Sequence, residues 1–283
     1  MAEVEQLEIA AGGMIFRGRA AGPDTGRLVL LLHGFPQTSR SWAATLDSLA
    51  DAGYRAVAFD QRGYSPGARP EAVEAYAIGH LVSDVIAVAD DIGGHEFDLV
   101  GHDWGGLVAW HVAGQYSSRV RTLTAVSTPH PAAFGRALSG ELGGDQAERS
   151  WYMEFFQQPE VPEEALLKDD AAALRGLYTG VPDDAVDEYV RELTQPGVLT
   201  AALNYYRAIP LAPRPEMEPV TTPTLYVWST EDVALGPEAA EATAEHVRGP
   251  YRFEVLEGVS HWIPETAPDE LNRLLLEHLS THA

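Results

Sequence analysis

The chain has no cysteine among its 283 residues. That excludes disulfides, thiolate nucleophiles and cysteine-based metal sites. It is almost without lysine: Lys168 is the only one, so nearly all its basic residues are arginines. Basic residues are scarce altogether, 19 against 42 Asp and Glu, which gives a formal net charge of −23. A surface of that sign repels phosphate backbones and anionic headgroups, so no nucleic acid and no membrane are expected as partners. It also disfavours a small anionic substrate, though local fields can override net charge. No apolar run approaches the ~20 residues that a bilayer span needs. Met1-Ala2-Glu3-Val4-Glu5 lacks the basic start and apolar core of a signal peptide, and the expected location is cytoplasmic.

What is present is ordinary for a packed domain, with 45% hydrophobic residues in a length that suits one large α/β domain with an inserted subdomain. Residues 4–10 and 14–20 flank Ala11-Gly12-Gly13 and predict an antiparallel hairpin. Leu28–Leu32 is a continuous apolar run, the pattern of a strand buried on both faces, and residues 55–59, 97–100 and 123–126 repeat it. Helical patterns at 41–50, 78–92 and 105–116 alternate with these strands, which predicts a mostly parallel sheet covered by helices. After Pro129 the rhythm changes. Residues 132–145, rich in Gly and Ala, predict a connection. Four helical segments follow, at 146–157, 162–178, 182–193 and 197–208, and Pro210, Pro213, Pro215 and Pro219 close the block. Strand and helix then alternate again at 224–228, 237–247, 251–256 and 268–279. The expected organisation is a core of residues 1–130 and 216–283, interrupted by a helical cap at 131–215.

Between the apolar run at 97–100 and the helical pattern after it lies Gly101-His102-Asp103-Trp104-Gly105-Gly106. Small residues two before and two and three after a central residue are the pattern of a nucleophile elbow, a turn too tight for larger side chains. Here the central residue is Asp103. A serine alkylated at sp3 carbon would be left as an inert ether, whereas an aspartate would be left as an ester that water can hydrolyse. The elbow therefore predicts attack on an epoxide or a carbon–halogen bond.

An aspartyl ester needs a base. His261, in Gly258-Val259-Ser260-His261-Trp262, follows the last predicted strand, and imidazole titrates near working pH. Asp232, in Trp228-Ser229-Thr230-Glu231-Asp232, follows the preceding strand and suits the carboxylate that orients the imidazole, with Glu231 as the competing acid. The order nucleophile, acid, histidine is that of the α/β hydrolases. Ser127 and Ser229 stand at strand ends but in no elbow. His33-Gly34-Phe35-Pro36 follows the third predicted strand. The N–H groups of Phe35 and Trp104 are the natural donor pair for a developing oxyanion, and the segment also suits a tight turn with a cis proline.

His33-Gly34-Phe35-Pro36, Asp60-Gln61-Arg62-Gly63-Tyr64 and Gly101-His102-Asp103-Trp104-Gly105-Gly106 together resemble the signature segments of α/β-hydrolase-fold epoxide hydrolases. With Asp232 and the segment around His261, the resemblance spans almost the whole core. It implies an α/β-hydrolase fold: a mostly parallel eight-stranded sheet with an inserted helical cap. It implies no metal and no cofactor, and as partners a small-molecule epoxide and water, with a homodimer compatible. It also implies two cap tyrosines that donate hydrogen bonds to the epoxide oxygen. Trp151-Tyr152-Met153-Glu154-Phe155-Phe156-Gln157 and Asn204-Tyr205-Tyr206-Arg207 resemble the segments that bear them, and the register selects Tyr152 and Tyr206, with Tyr205 the rival of the second. Arg62 and Tyr64 are taken as structural. The expected substrate contacts are Trp104, Phe35, Trp151, Phe155, Phe156 and Trp262, which suit an aromatic or aliphatic epoxide.

Three other readings remain open. Fluoroacetate dehalogenases resemble this core but follow the nucleophile with arginines, and no arginine occurs here between Asp103 and Arg119. Haloalkane dehalogenases share a Trp after the nucleophile, so Trp104 does not discriminate, whereas a tyrosine pair does, because halide leaves without a proton. A noncatalytic ligand-binding member of the fold is the third reading.

Overall fold

In the computed structural model, which describes residues 4–211 and 217–282, eight strands form a single sheet. Glu5–Ala11 (β1) and Met14–Ala21 (β2) make the expected hairpin, turning through Gly12 and Gly13 at φ of 60° and 79°. Two consecutive left-handed residues are what a two-residue hairpin turn requires, and only glycine adopts that conformation without strain. Leu28–Leu32 (β3), Arg55–Phe59 (β4), Phe97–His102 (β5), Val120–Val126 (β6), Thr224–Glu231 (β7) and Tyr251–Ser260 (β8) complete the sheet in the order β1-β2-β4-β3-β5-β6-β7-β8. β2 joins β4 antiparallel, and every later pairing is parallel.

The apolar runs are continuous because both faces of the central strands are covered. Successive side chains on β3 point to opposite faces. Val29 and Leu31 join one buried cluster with Ala43–Asp51 (α1) and, at the chain's end, Pro268–Thr281, through Leu46, Leu49, Leu271 and Leu275. Leu30 and Leu32 join the other, with Ile78–Asp91 (α2) and Trp104–Gln115 (α3) through Val85, Val88, Val108 and Val112. α3 is apolar nearly all round and buried for most of its length, as a central helix must be.

Between β6 and β7 lie Pro131–Leu138 (α4), Gln146–Arg149 (α5), Trp151–Gln157 (α6), Val161–Arg175 (α7), Asp183–Leu193 (α8) and Val198–Ala208 (α9). After β7 come Pro237–Ala242 (α10), Ile263–Thr266 (α11) and Pro268–Thr281 (α12). Three expectations need correction. The segment 132–145 is not only a connection: α4 occupies its first half, started by Pro131 at its first turn and by the His130 ring, which accepts from the Ala132 N–H at 3.2 Å. The helix expected over 146–157 is two, broken at Ser150, where Gln146 Nε2 donates to both Ser150 Oγ and the Ala234 carbonyl. The helix expected over 162–178 leaves helical geometry at residues 168–171, with Asp169, Asp170 and Ala171 at positive φ. Aspartate tolerates that region better than most residues. Pro213 and Pro215, the expected 215/216 boundary, and residues 1–3 lie outside the described residues. No helix among the described residues is long and apolar enough to cross a membrane.

Candidate active site

Asp103 stands between β5 and α3 at φ 51° and ψ −120°, a conformation that costs about 1–3 kcal/mol for a residue with a Cβ. The surroundings enforce it. Leu107 N–H and Thr128 Oγ1 both donate to the Asp103 carbonyl, at 3.0 and 2.8 Å. A Cβ on Gly101 would run into the Gly105 carbonyl, and one on Gly105 into the Leu32 carbonyl. These are the close approaches for which the elbow spacing reserves small residues. Gly34 is reserved in the same way, since its Cβ would strike the Asp103 side chain. The Phe35–Pro36 peptide is cis, as the His-Gly-Phe-Pro segment suggested.

The two oxygens of Asp103 face different groups. Oδ1 accepts the Phe35 N–H at 2.6 Å, and the Trp104 N–H also bears on the carboxylate. Oδ2 lies 3.7 Å from His261 Nε2, beyond hydrogen-bond length. His261 Nδ1 is 2.7 Å from Asp232 Oδ2, while Asp232 Oδ1 accepts the Ala234 and Leu235 N–H groups at 2.8 and 3.0 Å. Asp232 is therefore locked, and it fixes the proton of the ring on Nδ1. Glu231, the rival acid, is exposed at the end of β7. Ser127 and Ser229 spend their hydroxyls on the carbonyls of His261 and Ser260.

Burial pushes the Asp103 carboxyl above the usual aspartate range, against the opposing pull of His261 and the two N–H groups. Burial also opposes charge on His261, but Asp232 and Asp103 outweigh it and push the imidazole up to about 9. A second buried polar cluster lies behind the histidine. His102 sits between Gln37 Oε1 (2.8 Å) and the His261 carbonyl (2.9 Å). Gln37 Nε2 and Tyr189 Oη both donate to Glu265 Oε1, at 2.6 and 2.7 Å. Burial takes the Glu265 carboxyl up to about 7. Sequence reasoning missed this cluster, since nothing local marks Gln37 and Glu265 as neighbours.

A cavity of about 640 Å³ opens above Asp103, and Trp104, Tyr152 and Tyr206 line it beside the carboxylate. The two tyrosine rings are 6.1 Å apart, edge to face. Burial, reinforced by the charge of Asp103, pushes both phenols well above 10, so both stay protonated. Tyr205 also lines the cavity, but its hydroxyl donates to the Arg62 carbonyl at 2.8 Å, on a loop held by the buried Arg62–Asp84 pair at 2.6 Å. Arg62 and Tyr64 are both buried and packed, in keeping with structural roles.

Of the expected apolar contacts, Trp104 lines this cavity and the others stand behind or outside its lining. Trp151, Phe155, Phe156 and Trp262 are not among the cavity's lining residues. Trp151 is 67% exposed, because the break at Ser150 starts α6 with that side chain turned outward. Phe155 packs between Trp151 and Phe156, and Phe156 packs behind Phe35 and Tyr206. Trp262 supports His261 edge-on and donates its indole N–H to the Leu177 carbonyl at 2.9 Å. Phe35 contributes its N–H rather than its ring. Sequence reading missed Leu107 and His111, which line the cavity further along α3. Their spacing from Trp104 was the available signal.

A family model described as the alpha/beta hydrolase fold matches residues 27–268. AB hydrolase superfamily protein YfhM of Bacillus subtilis is 35% identical over 280 residues, covering 96% of each chain. Epoxide hydrolase A of Mycobacterium tuberculosis is 31% identical, over 99% of this chain and 98% of its own. The crystal structure of epoxide hydrolase A from Mycobacterium thermoresistibile superposes with a TM-score of 0.84 at 31% identity, over 98% of both chains.

Proposed function

The chain belongs to the epoxide hydrolases of the α/β-hydrolase fold, and we propose that it converts an epoxide to a vicinal diol through an ester on Asp103. The observation that carries this reading is the division of labour at one carboxylate. Oδ1 is held by the Phe35 N–H at 2.6 Å, while Oδ2 faces His261 and a cavity that two protonated tyrosines share.

Asp103 Oδ2 forms the new bond to an epoxide carbon, and the ring C–O bond breaks. Tyr152 and Tyr206, on the cap that we assign to residues 131–215, donate to the departing oxygen, which ends as a hydroxyl. His261 then takes a proton from water, and the hydroxide adds to the ester carbonyl carbon. The negative charge that develops on Oδ1 falls where the Phe35 and Trp104 N–H groups already point. Collapse expels the diol oxygen, which takes the proton back from His261, and leaves Asp103 with one oxygen drawn from water. The second proton of that water passes from the new carboxyl to the tyrosinate, so both Asp103 and the tyrosine regain their resting charge.

Alkylation also changes the histidine. In the resting site two carboxylates hold its proton, to about 9. Esterification of Asp103 removes one of those charges, so the pKa falls and the imidazole becomes available as a base near neutrality. Ester hydrolysis in single-turnover experiments is thus expected to accelerate as pH rises, with an inflection below about 9. Alkylation follows the opposite group and fails on the acid side as Asp103 protonates, above the ordinary aspartate range of about 3.9. A hydrolysis rate flat from pH 6 to 9 would remove His261 from the base role.

The deciding experiment is the intact-protein mass of His261→Ala after exposure to epoxides and, separately, to haloalkanes. Blocking the second step strands the ester. A gain of the whole epoxide mass is expected, because ring opening expels nothing. A gain of a haloalkane less its hydrogen halide, with no epoxide adduct, would move the chain to the dehalogenases. No adduct from either set would favour the noncatalytic reading.

A further inference from the structure

Asp103 lies at one end of the cavity, and the other end is built differently. Trp104, Leu107 and His111 all line it, at the i, i+3, i+7 spacing that forms one stripe along a helix. The cavity thus follows α3 for two turns away from the nucleophile. Eight residues separate Asp103 from His111, a rise of about 12 Å. The walls on the way are apolar, with Ile78, Phe134, Leu138 and Met217. Then the character changes: His111 and His246 line the far end, with the exposed Glu218 beside them.

Each of these imidazoles has one nitrogen without a partner among the described residues. His111 is only 5% exposed, and its Nδ1 is buried with no hydrogen-bond partner among the described residues. His246 Nε2 and the neighbouring His130 Nε2 are in the same condition. These unpaired atoms are closed off from solvent and cavity alike, so the cavity meets each of the lining rings, His111 and His246, through its other nitrogen and its carbons. His130 orders the group: its Nδ1 accepts from the Ala132 N–H, which leaves its proton on Nε2, and its ring stacks on His246 at 4.7 Å. Burial keeps the imidazoles neutral, pushing His111 down to about 4 and His130 to about 3. No cluster of three metal-type side chains among the described residues is placed to hold an ion. A neutral imidazole presents one donor and one acceptor, which matches a hydroxyl.

Building on the epoxide hydrolase reading, we propose that His111 and His246 form a distal polar subsite for a hydroxyl group at the far end of the substrate. The preferred epoxides are then long and amphipathic, with a chain of about ten carbons bridging the ~12 Å between the two polar ends.

Two diol products that differ only at the far end test this without chemistry: decane-1,2-diol and decane-1,2,10-triol, titrated by calorimetry. The triol is expected to bind about five- to tenfold tighter, the worth of one ordinary hydrogen bond. In His111→Leu the ratio is expected to fall to about one. Because the ratio is taken within one protein, a general loss of affinity cancels. Should His111→Leu not fold, His246→Leu, at a half-exposed position in the turn at 243–246, takes its place. Equal binding by the unaltered protein, or a preference that survives the substitution, overturns the subsite. The mass experiment on His261→Ala stands apart from it. A triol preference without any epoxide adduct keeps the subsite and overturns the reaction; an adduct with equal binding does the reverse.

Discussion

Asp103→Ala is expected to lower turnover of every epoxide by about 10⁴-fold or more, because it removes the atom that forms the new bond in the proposed reaction. The fold should survive. Asp103 precedes α3, but its side chain makes no capping hydrogen bond there, so the helix does not depend on the carboxylate. The substitution adds little strain, since φ 51° with ψ −120° lies outside the left-handed helical region that aspartate tolerates and is strained for any residue with a Cβ. Burial already pushes Asp103 above its ordinary pKa, which means that the folded protein bears a cost for this charge near neutrality. Against that stands the loss of one partner for the His261 imidazolium, so the melting temperature should move by only a few degrees, which scanning calorimetry measures. Asp103→Ala placed in the His261→Ala background should also abolish the trapped ester. Turnover that persists in Asp103→Ala, or an adduct that persists in the double variant, would place the nucleophile elsewhere.

Much of this site was legible because each part has a local signature. Gly101, Gly105 and Gly106 mark the elbow by what a larger residue would strike: the elbow's own backbone for Gly101, β3 for Gly105, and Thr128 beyond β6 for Gly106. Asp232 and His261 follow strand ends, where a parallel sheet gathers its functional loops. The apolar runs gave the central strands for the same reason, burial on both faces. The ends of β7 and β8 escaped, because they continue as polar, exposed residues. The cap was harder. The resemblance named Trp151 and Phe155 as substrate contacts together with Tyr152's role, but the phase of a seven-residue helix is set by the bend before it. That bend comes from Gln146 reaching Ala234, 88 residues away. The choice between Tyr205 and Tyr206 likewise depends on the Arg62 carbonyl, 143 residues from Tyr205. Composition and periodicity carry no trace of such contacts. The stripe of Trp104, Leu107 and His111 could have been found, since its spacing lies within one helix.

Tyr152→Phe with Tyr206→Phe is expected to slow alkylation by about 10³-fold or more while leaving ester hydrolysis within a few fold. Either change alone should cost less, about 10- to 100-fold, and the two should not multiply. In the proposed ring opening both hydroxyls serve one oxygen from rings 6.1 Å apart, so one donor still serves it when the other is lost. Phe keeps the ring, and with it the contacts of Tyr206 with Trp104 and Phe35, so the loss is chemical rather than steric. Tyr205→Phe is the counterpart. It forfeits the bond to the Arg62 carbonyl, a stability loss of about 1 kcal/mol seen in denaturant melts, with alkylation little changed. Rapid mixing separates the two steps: a fall confined to ester formation assigns the tyrosines to ring opening, and an equal fall in both removes them from it. The same double variant also tells the two electrophiles apart. An epoxide oxygen leaves as an alkoxide and needs a proton at once, while halide leaves as a stable anion. A protein that alkylates Asp103 with haloalkanes at undiminished rate, yet loses the epoxide reaction, keeps its nucleophile and has lost only its acid.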